Sequence, residues 1–171
     1  MDYNIEYFIA KLDGFFEAFA WFNNKTNNQF QFETCDNIIF QKNGNEDFDI
    51  KRSINEFFSH EASKISIERN EDWKAELLNV LNKWLFRFQS QGNDPIYGPF
   101  LRDDKNDFSL FSKLHRNHLL EQLIDDIIKI SDPICAYNVT LVLKEFFAND
   151  LEILVIEGNR YNLVLRFELY D

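Results

Sequence analysis

Hydrophobic side chains along residues 4–22 recur three and four positions apart: Ile5, Phe8, Leu12, Phe15, Phe19 and Phe22, with Ile9 and Phe16 beside them. A helix turning about 100° per residue gathers these positions on one face, so the spacing predicts an amphipathic helix with that face turned inward. The polar run NNKTNN ends it. QFQFETCDNIIFQKNGN then alternates Phe30 and Phe32 with polar residues and places Asp36-Asn37 near a turn, a hairpin pattern over residues 29–42.

Ile50, Ile54, Phe57 and Phe58 predict a second, shorter helix between Phe48 and Ala62, followed by an extended piece at KISIE. Asn70 reads as an N-cap, with Glu71 and Asp72 adding negative charge to the first turn of a helix that carries Trp73, Leu77, Leu81, Trp84 and Phe88 on one face. This helix stops at QSQGNDP. Residues 90–107 hold two of the three prolines and two of the five glycines and read as a long surface loop. Helical spacing returns over 108–130, where a shift of the apolar face predicts a bend or break near His115.

Two further elements complete the chain. Asp132 as N-cap and Pro133 at the first helical position predict a helix over ICAYNVTLVLKEFFAN, its apolar face made of Cys135, Val139, Val142, Leu143 and Phe146. LEILVIEGNRYNLVLRFELYD reads as a hairpin around EGNR, with Gly158 and Asn159 able to take positive φ. In its second strand Tyr161, Leu163, Leu165, Phe167 and Leu169 alternate with Asn162, Val164, Arg166 and Glu168, which predicts one buried and one largely wet face. A strand that ends a chain is also a candidate sheet edge, able to accept a partner strand. The whole pattern predicts an α+β fold: four to five helices packed on a small antiparallel sheet that includes a C-terminal β-hairpin, in a single globular domain spanning 1–171.

Composition narrows the function. With 45% hydrophobic residues the 171-residue chain can build a buried core. Its longest apolar runs, such as Leu151 to Ile156, fall far below the roughly 18 residues of a membrane span. The absence of a basic leader before the first apolar residues predicts a cytoplasmic protein, in which Cys35 and Cys135 are unpaired thiols. Phe, Asn, Ile and Lys are abundant, as codon bias in an AT-rich genome would make them, so the nineteen phenylalanines are not themselves a functional signal. The net charge of −11, from 29 acids against 18 bases, disfavours gripping a nucleic-acid backbone and favours a basic protein partner.

Candidate chemistry is sparse. His115 and His118 stand three apart, but His115, His118, Gln122, Asp125 and Lys129 form a polar stripe opposite Leu119, Leu123 and Ile127, the pattern of a solvated helix face. Asp125-Asp126 are neighbours on a helix that do not face each other, and Asp103-Asp104 are a loop pair of the kind that is ordinarily solvated. No G-x-S-x-G, Gly-rich phosphate loop, C-x-x-C or H-E-x-x-H is present, so no cofactor, metal or catalytic residue is expected from motif.

The first helix offers more. Tyr3, Tyr7 and Trp21 project away from its apolar face around Gly14, with Glu6, Asp13 and Glu17 beside them. Large rigid rings bordered by carboxylates suit a protein interface that selects a basic partner. The candidate partner-binding residues are therefore Tyr7, Asp13, Glu17 and Trp21, with the loop acids Asp103, Asp104 and Asp107. The leading expectation is an acidic binding protein, a bacterial immunity protein or antitoxin that neutralises a basic, nuclease-like toxin. Two alternatives stay open: an enzyme or small-ligand binder assembled from distant polar residues such as His60, His115 and His118, and an acidic nucleic-acid mimic.

Overall fold

A computed structural model describes residues 3–24, 29–34, 49–86, 113–145, 148 and 150–170. In chain order these form α1 (Tyr3–Asn23), β1 (Gln29–Thr34), α2 (Ile50–Phe58), β2 (Ala62–Asn70), α3 (Trp73–Leu85), α4 (Lys113–Ser131), β3 (Pro133–Leu143), β4 (Asp150–Gly158) and β5 (Leu163–Tyr170). The strands build one antiparallel sheet in the order β1-β5-β4-β3-β2, and the fold is α+β. The expected turn at Asp36-Asn37, Cys35, Phe88, the 90–107 loop and residues 108–112 lie outside the described residues.

Two cores sit on the two faces of the sheet. On one, Ala136, Leu154, Ile156, Leu163, Leu165 and Phe167 meet the apolar stripes of α1, α3 and α4. On the other, Cys135, Tyr137, Val139, Ile153, Val155 and Val164 meet Ile50, Ile54 and Phe58 of α2. The period-two alternation of side chains along a strand sends neighbours to opposite cores. Strands covered on both faces read as continuous apolar runs, which is why LEILVI carries so little polarity.

Aromatic contacts and a buried amide dock the helices. Phe16 of α1 packs edge-on against Phe167 of β5, with ring centroids 5.4 Å apart, and Trp84 of α3 stacks on Phe167 at 5.8 Å. All three rings are fully buried. The Trp84 indole Nε1 donates to Glu152 on β4, which also pairs with Lys83. Asn23, buried at the end of α1, donates from Nδ2 to the carbonyls of Phe19 (2.9 Å) and Leu85 (3.2 Å). The Leu85 carbonyl, at the end of α3, has no partner within its own helix, and the Asn23 amide satisfies it.

The structure corrects several expectations. The segment after Asp132 is strand β3 instead of a helix: Cys135, Tyr137 and Val139 face one core, Ala136 the other, and β2 and β4 pair on either side. Its β-branched and aromatic content suits a strand between two neighbours, and tertiary pairing outweighs the cap-like signal. Asp132 ends α4 instead of starting a helix. Its backbone takes φ 52°, its N–H donates to the Ile128 carbonyl at 2.9 Å, and Pro133 follows as a stop. The α3 N-cap is Asp72, whose Oδ1 accepts from Ala75 N–H at 3.1 Å; Asn70 supports it by accepting from Asp72 N–H at 2.9 Å. Helix α4 begins at Lys113 and includes His115; residues 108–112, across which a bend or break was expected, lie outside the described residues.

The terminal hairpin is present, but β5 is buried on both faces and lies between β1 and β4, so it has neither a wet face nor a free edge. β1 pairs with β5, and the KISIE segment extends into the nine-residue edge strand β2. Asn159 does not take positive φ; among non-glycine described residues only Asp132 does. Gly158 is needed for close approach. A Cβ there would overlap the Ser131 carbonyl oxygen and stand 2.6 Å from that of Tyr161, while Asn159 and Arg160 N–H groups bond Asp132 and Ser131 at 3.0 Å each.

Gly158→Ala is therefore expected to force backbone against backbone and to lower stability by about 1–3 kcal/mol. A urea midpoint unchanged from the wild type would contradict this account of the α4–hairpin junction.

Candidate protein-binding face

α1 has its inner face occupied by Ile5, Ile9, Leu12, Phe16, Phe19 and Ala20, all buried, with Phe8, Phe15 and Phe22 half-buried at its borders. Its outer face then consists of Glu6, Tyr7, Ala10, Gly14, Glu17, Ala18 and Trp21, all exposed. Tyr7 is 64% and Trp21 57% exposed, the two largest values among the described large hydrophobic residues. They stand fourteen residues apart, about 21 Å along the axis at 1.5 Å per residue. Each ring is braced edge-on by its neighbour, Tyr7 by Phe8 at 5.4 Å and Trp21 by Phe22 at 5.5 Å. Bracing limits the rotamer freedom that a binding event would have to remove.

Between the rings the helix is nearly bare. Ala10, Gly14 and Ala18 recur every four residues, and a Cβ built on Gly14 meets nothing within 4 Å. The backbone there is open to close approach by another surface.

The charge of this face follows from one buried contact. Lys11, the single base of α1, turns inward to Asp126 of α4, with Nζ 2.7 Å from Oδ2, and Asp126 is almost fully buried. Oδ2 accepts no aligned hydrogen bond, so the contact with the ammonium is an ion pair. Lys129 adds a second positive charge 3.6 Å from Oδ1. With the half-buried Lys11 held by Asp126, Glu6 and Glu17 are exposed and form no ion pair among the described residues. Asp13 is half-buried at the border of the same face.

Four of the expected partner-binding residues, Tyr7, Asp13, Glu17 and Trp21, are thus brought together on α1. Asp103, Asp104 and Asp107 lie outside the described residues, as does the side chain of Tyr3. Sequence reading missed Ala10 and Ala18, although the A-x-x-x-G-x-x-x-A spacing around Gly14 was legible.

The histidines and the buried polar groups lie elsewhere in the fold. His115 is half-buried and His118 exposed on α4, where the latter lies 3.6 Å from Glu121, while His60 sits in the turn after α2 on the opposite side of the sheet. A cleft of about 280 Å³ is lined by Glu76, Asn138, Thr140, Leu141, Leu151 and Glu152 and holds none of the three histidines. Its two acids are already bound, Glu76 by Asn70 at 2.8 Å and Glu152 by Lys83 and Trp84. Asn138 and Thr140 escaped the sequence reading because β3 had been expected as a helix.

On the α2 side, two networks are built into the sheet. Arg166 bonds Glu61 (2.8 Å) and Glu168 (2.6 Å), and Glu168 accepts from Tyr170 at 2.6 Å. Burial opposes the Arg166 charge, but these carboxylates outweigh it and hold the guanidinium above its usual range. The Tyr137 hydroxyl donates to Glu157 at 2.8 Å; the Cys135 thiol donates to the same oxygen at 3.3 Å and accepts from Arg69 Nε at 3.3 Å. Burial first, then the bond to Glu157, pushes the Tyr137 phenol upward, and burial raises the Cys135 thiol against the opposing pull of Arg69. A thiol so placed is a structural group, poorly suited to act as a nucleophile. Among the described residues no helix is long and apolar enough to cross a membrane. No protein-family model, curated protein or solved structure matches this chain.

Two measurements test this geometry. Gly14→Ala replaces a costly helix-interior glycine where space is open, so it should raise stability by about 0.5–1 kcal/mol, the opposite sign to Gly158→Ala. Tyr137 keeps its proton in the native state beyond the value of 10.0 at which the free phenol loses it, so its contribution is complete below that pH and falls as pH rises further. Urea midpoints followed from about pH 8 to pH 11 should decline less steeply for Tyr137→Phe than for wild type; parallel curves would rule the linkage out.

Proposed function

We propose that this protein is an acidic inhibitor that binds a basic protein partner through the outer face of α1, with Tyr7 and Trp21 as anchors and Glu6, Asp13 and Glu17 selecting positive charge. The observation that carries the reading is the exposure of two large rings on the outer face of α1, a helix whose only basic residue is held in an ion pair by Asp126. A soluble protein rarely leaves such rings on a rigid helix without a use for them. The net charge of −11 supplies long-range attraction to a basic surface. The partner class that fits is a basic, nuclease-like toxin met in the bacterial cytoplasm, which makes the protein an immunity protein or antitoxin.

The engaged state of the cleft acids and the separation of His60 from His115 and His118 favour binding over catalysis. Glu6, Asp13 and Glu17 stand seven and four residues apart, about 10 and 6 Å along the helix, too few and too unevenly spaced for a carboxylate ladder that copies a phosphate backbone. The proposed interface therefore reads protein, with the acids as selectors and the rings as the main contact area.

The test begins with affinity capture from the native host and continues with the purified partner. The captured protein should be basic, and its association rate should fall steeply as salt rises. Trp21→Ala should weaken binding by about thirtyfold or more with unchanged circular dichroism, Tyr7→Ala by a smaller factor, and Val142→Ala, exposed on the far strand β3, not at all. Full affinity in both α1 variants would refute the proposed face.

A further inference from the structure

Strand β2 closes one end of the sheet, and its outer edge meets no other strand among the described residues. Lys64, Ser66 and Glu68 are exposed on the face they share with Val142, Thr140 and Asn138 of β3, whereas Ile65 and Ile67 are half-buried on the α2 face beside Leu141 and Val139. Charged residues on an edge strand ordinarily discourage pairing with another strand. The order of these residues, however, is self-complementary. When the strand is laid antiparallel to itself about a two-fold axis through Ser66, Lys64 stands opposite Glu68 of the second copy and Glu68 opposite its Lys64. Ile65 then faces the other Ile67; the regular register spans Lys64 to Glu68, since β2 is irregular between Ala62 and Lys64.

From this we infer that β2 is the interface of a symmetric homodimer in which two five-stranded sheets join edge to edge across Ser66. Several observations converge on a second copy as the occupant. Neither Lys64 nor Glu68 forms an ion pair among the described residues, so both charges are free to pair across the axis. The directly opposed pairs of this register are two Lys–Glu pairs and two Ile–Ile pairs, combinations that stabilise antiparallel ladders, and no like charges oppose each other. Ile65 and Ile67 already pack on the α2-side core, which the dimer would continue from one copy into the next.

Neighbouring registers fail. Moving the axis to Ile65 or Ile67 leaves both charges without a partner, and a shift of half a residue pair sets polar side chains against apolar ones. An axis on Ser66 also suits either hydrogen-bonding phase, because a residue on the axis exchanges both backbone bonds with its mate or neither. A strand from a basic partner is a poorer occupant, since the edge itself carries Lys64 and Arg69 against Glu68. The interface is distinct from the α1 face, and its test is independent of the function proposed for that face.

Sedimentation equilibrium of the full chain, from micromolar concentrations to about 0.5 mM, tests the inference. Wild type should dimerise reversibly. Lys64→Glu and Glu68→Lys should each weaken the dimer by about tenfold or more, because symmetry places every new like-charge contact in the interface twice. The double variant K64E/E68K should recover the wild-type constant, and an equimolar mixture of the two single variants should form a heterodimer tighter than either homodimer. Circular dichroism separates loss of pairing from loss of fold. A monomeric wild type throughout that range, or a dimer indifferent to the single exchanges, or a double variant that stays monomeric, would overturn the proposal.

Discussion

The contact of Phe16 and Trp84 with Phe167 governs the rest of the structure. One ring from α1 and one from α3 close on a single side chain of β5, so a strand in the interior of the sheet sets the orientation of both helices. Burying a side chain of that size is worth about 1.5–3 kcal/mol, and the interdigitation leaves α1 one rotational setting. A helix has no freedom to turn one residue without turning all. Once Leu12 and Phe16 point inward, Gly14 and Trp21 point outward, and the exposure of the proposed binding face is the other side of the core's own requirement.

Electrostatics follows the same logic. A buried Asp126 must have positive company, and Lys11 and Lys129 provide it. The cost of satisfying that interior charge is met by removing a base from the outer part of α1, which leaves Glu6 and Glu17 unopposed there. The interior polar groups of the α2 side are likewise satisfied in place: Arg166 between Glu61 and Glu168, Tyr137 and Cys135 on Glu157. Their perturbed protonation reflects structural pairing within a sheet, a common alternative to catalysis when titratable groups are buried together.

Much of this was legible in residue order, and for a physical reason. α1 and α3 carry strong 3.6-residue periodicity because each buries one stripe on the sheet; the split of α1 into a core face and a ring-bearing face was visible from spacing alone. The errors concentrate where tertiary context decides. Asp132-Pro133 satisfies the rules for a helix start and equally those for a helix stop, and only the position of β2 and β4 on either side selects the stop. The wet face expected for β5 came from reading Arg166 and Glu168 as solvated, whereas they are buried as a mutual pair with Glu61. The terminal strand was a candidate edge, yet β1 pairs with β5 and places it inside the sheet, so that β1 and β2 are the outer strands. Order along the chain does not disclose order across a sheet.

The central claim, that packing of Phe16 and Trp84 on Phe167 fixes α1 with Trp21 outward, is tested most directly by fluorine NMR of protein labelled with 5-fluorotryptophan. The three tryptophans give three resonances, assigned by single Trp→Phe replacements. The account predicts that the Trp21 resonance shows a full solvent-isotope shift and strong broadening by a soluble paramagnet, that Trp84 shows neither, and that Trp73, half-buried at the start of α3, lies between. A protected Trp21, or a Trp84 open to solvent, would contradict it.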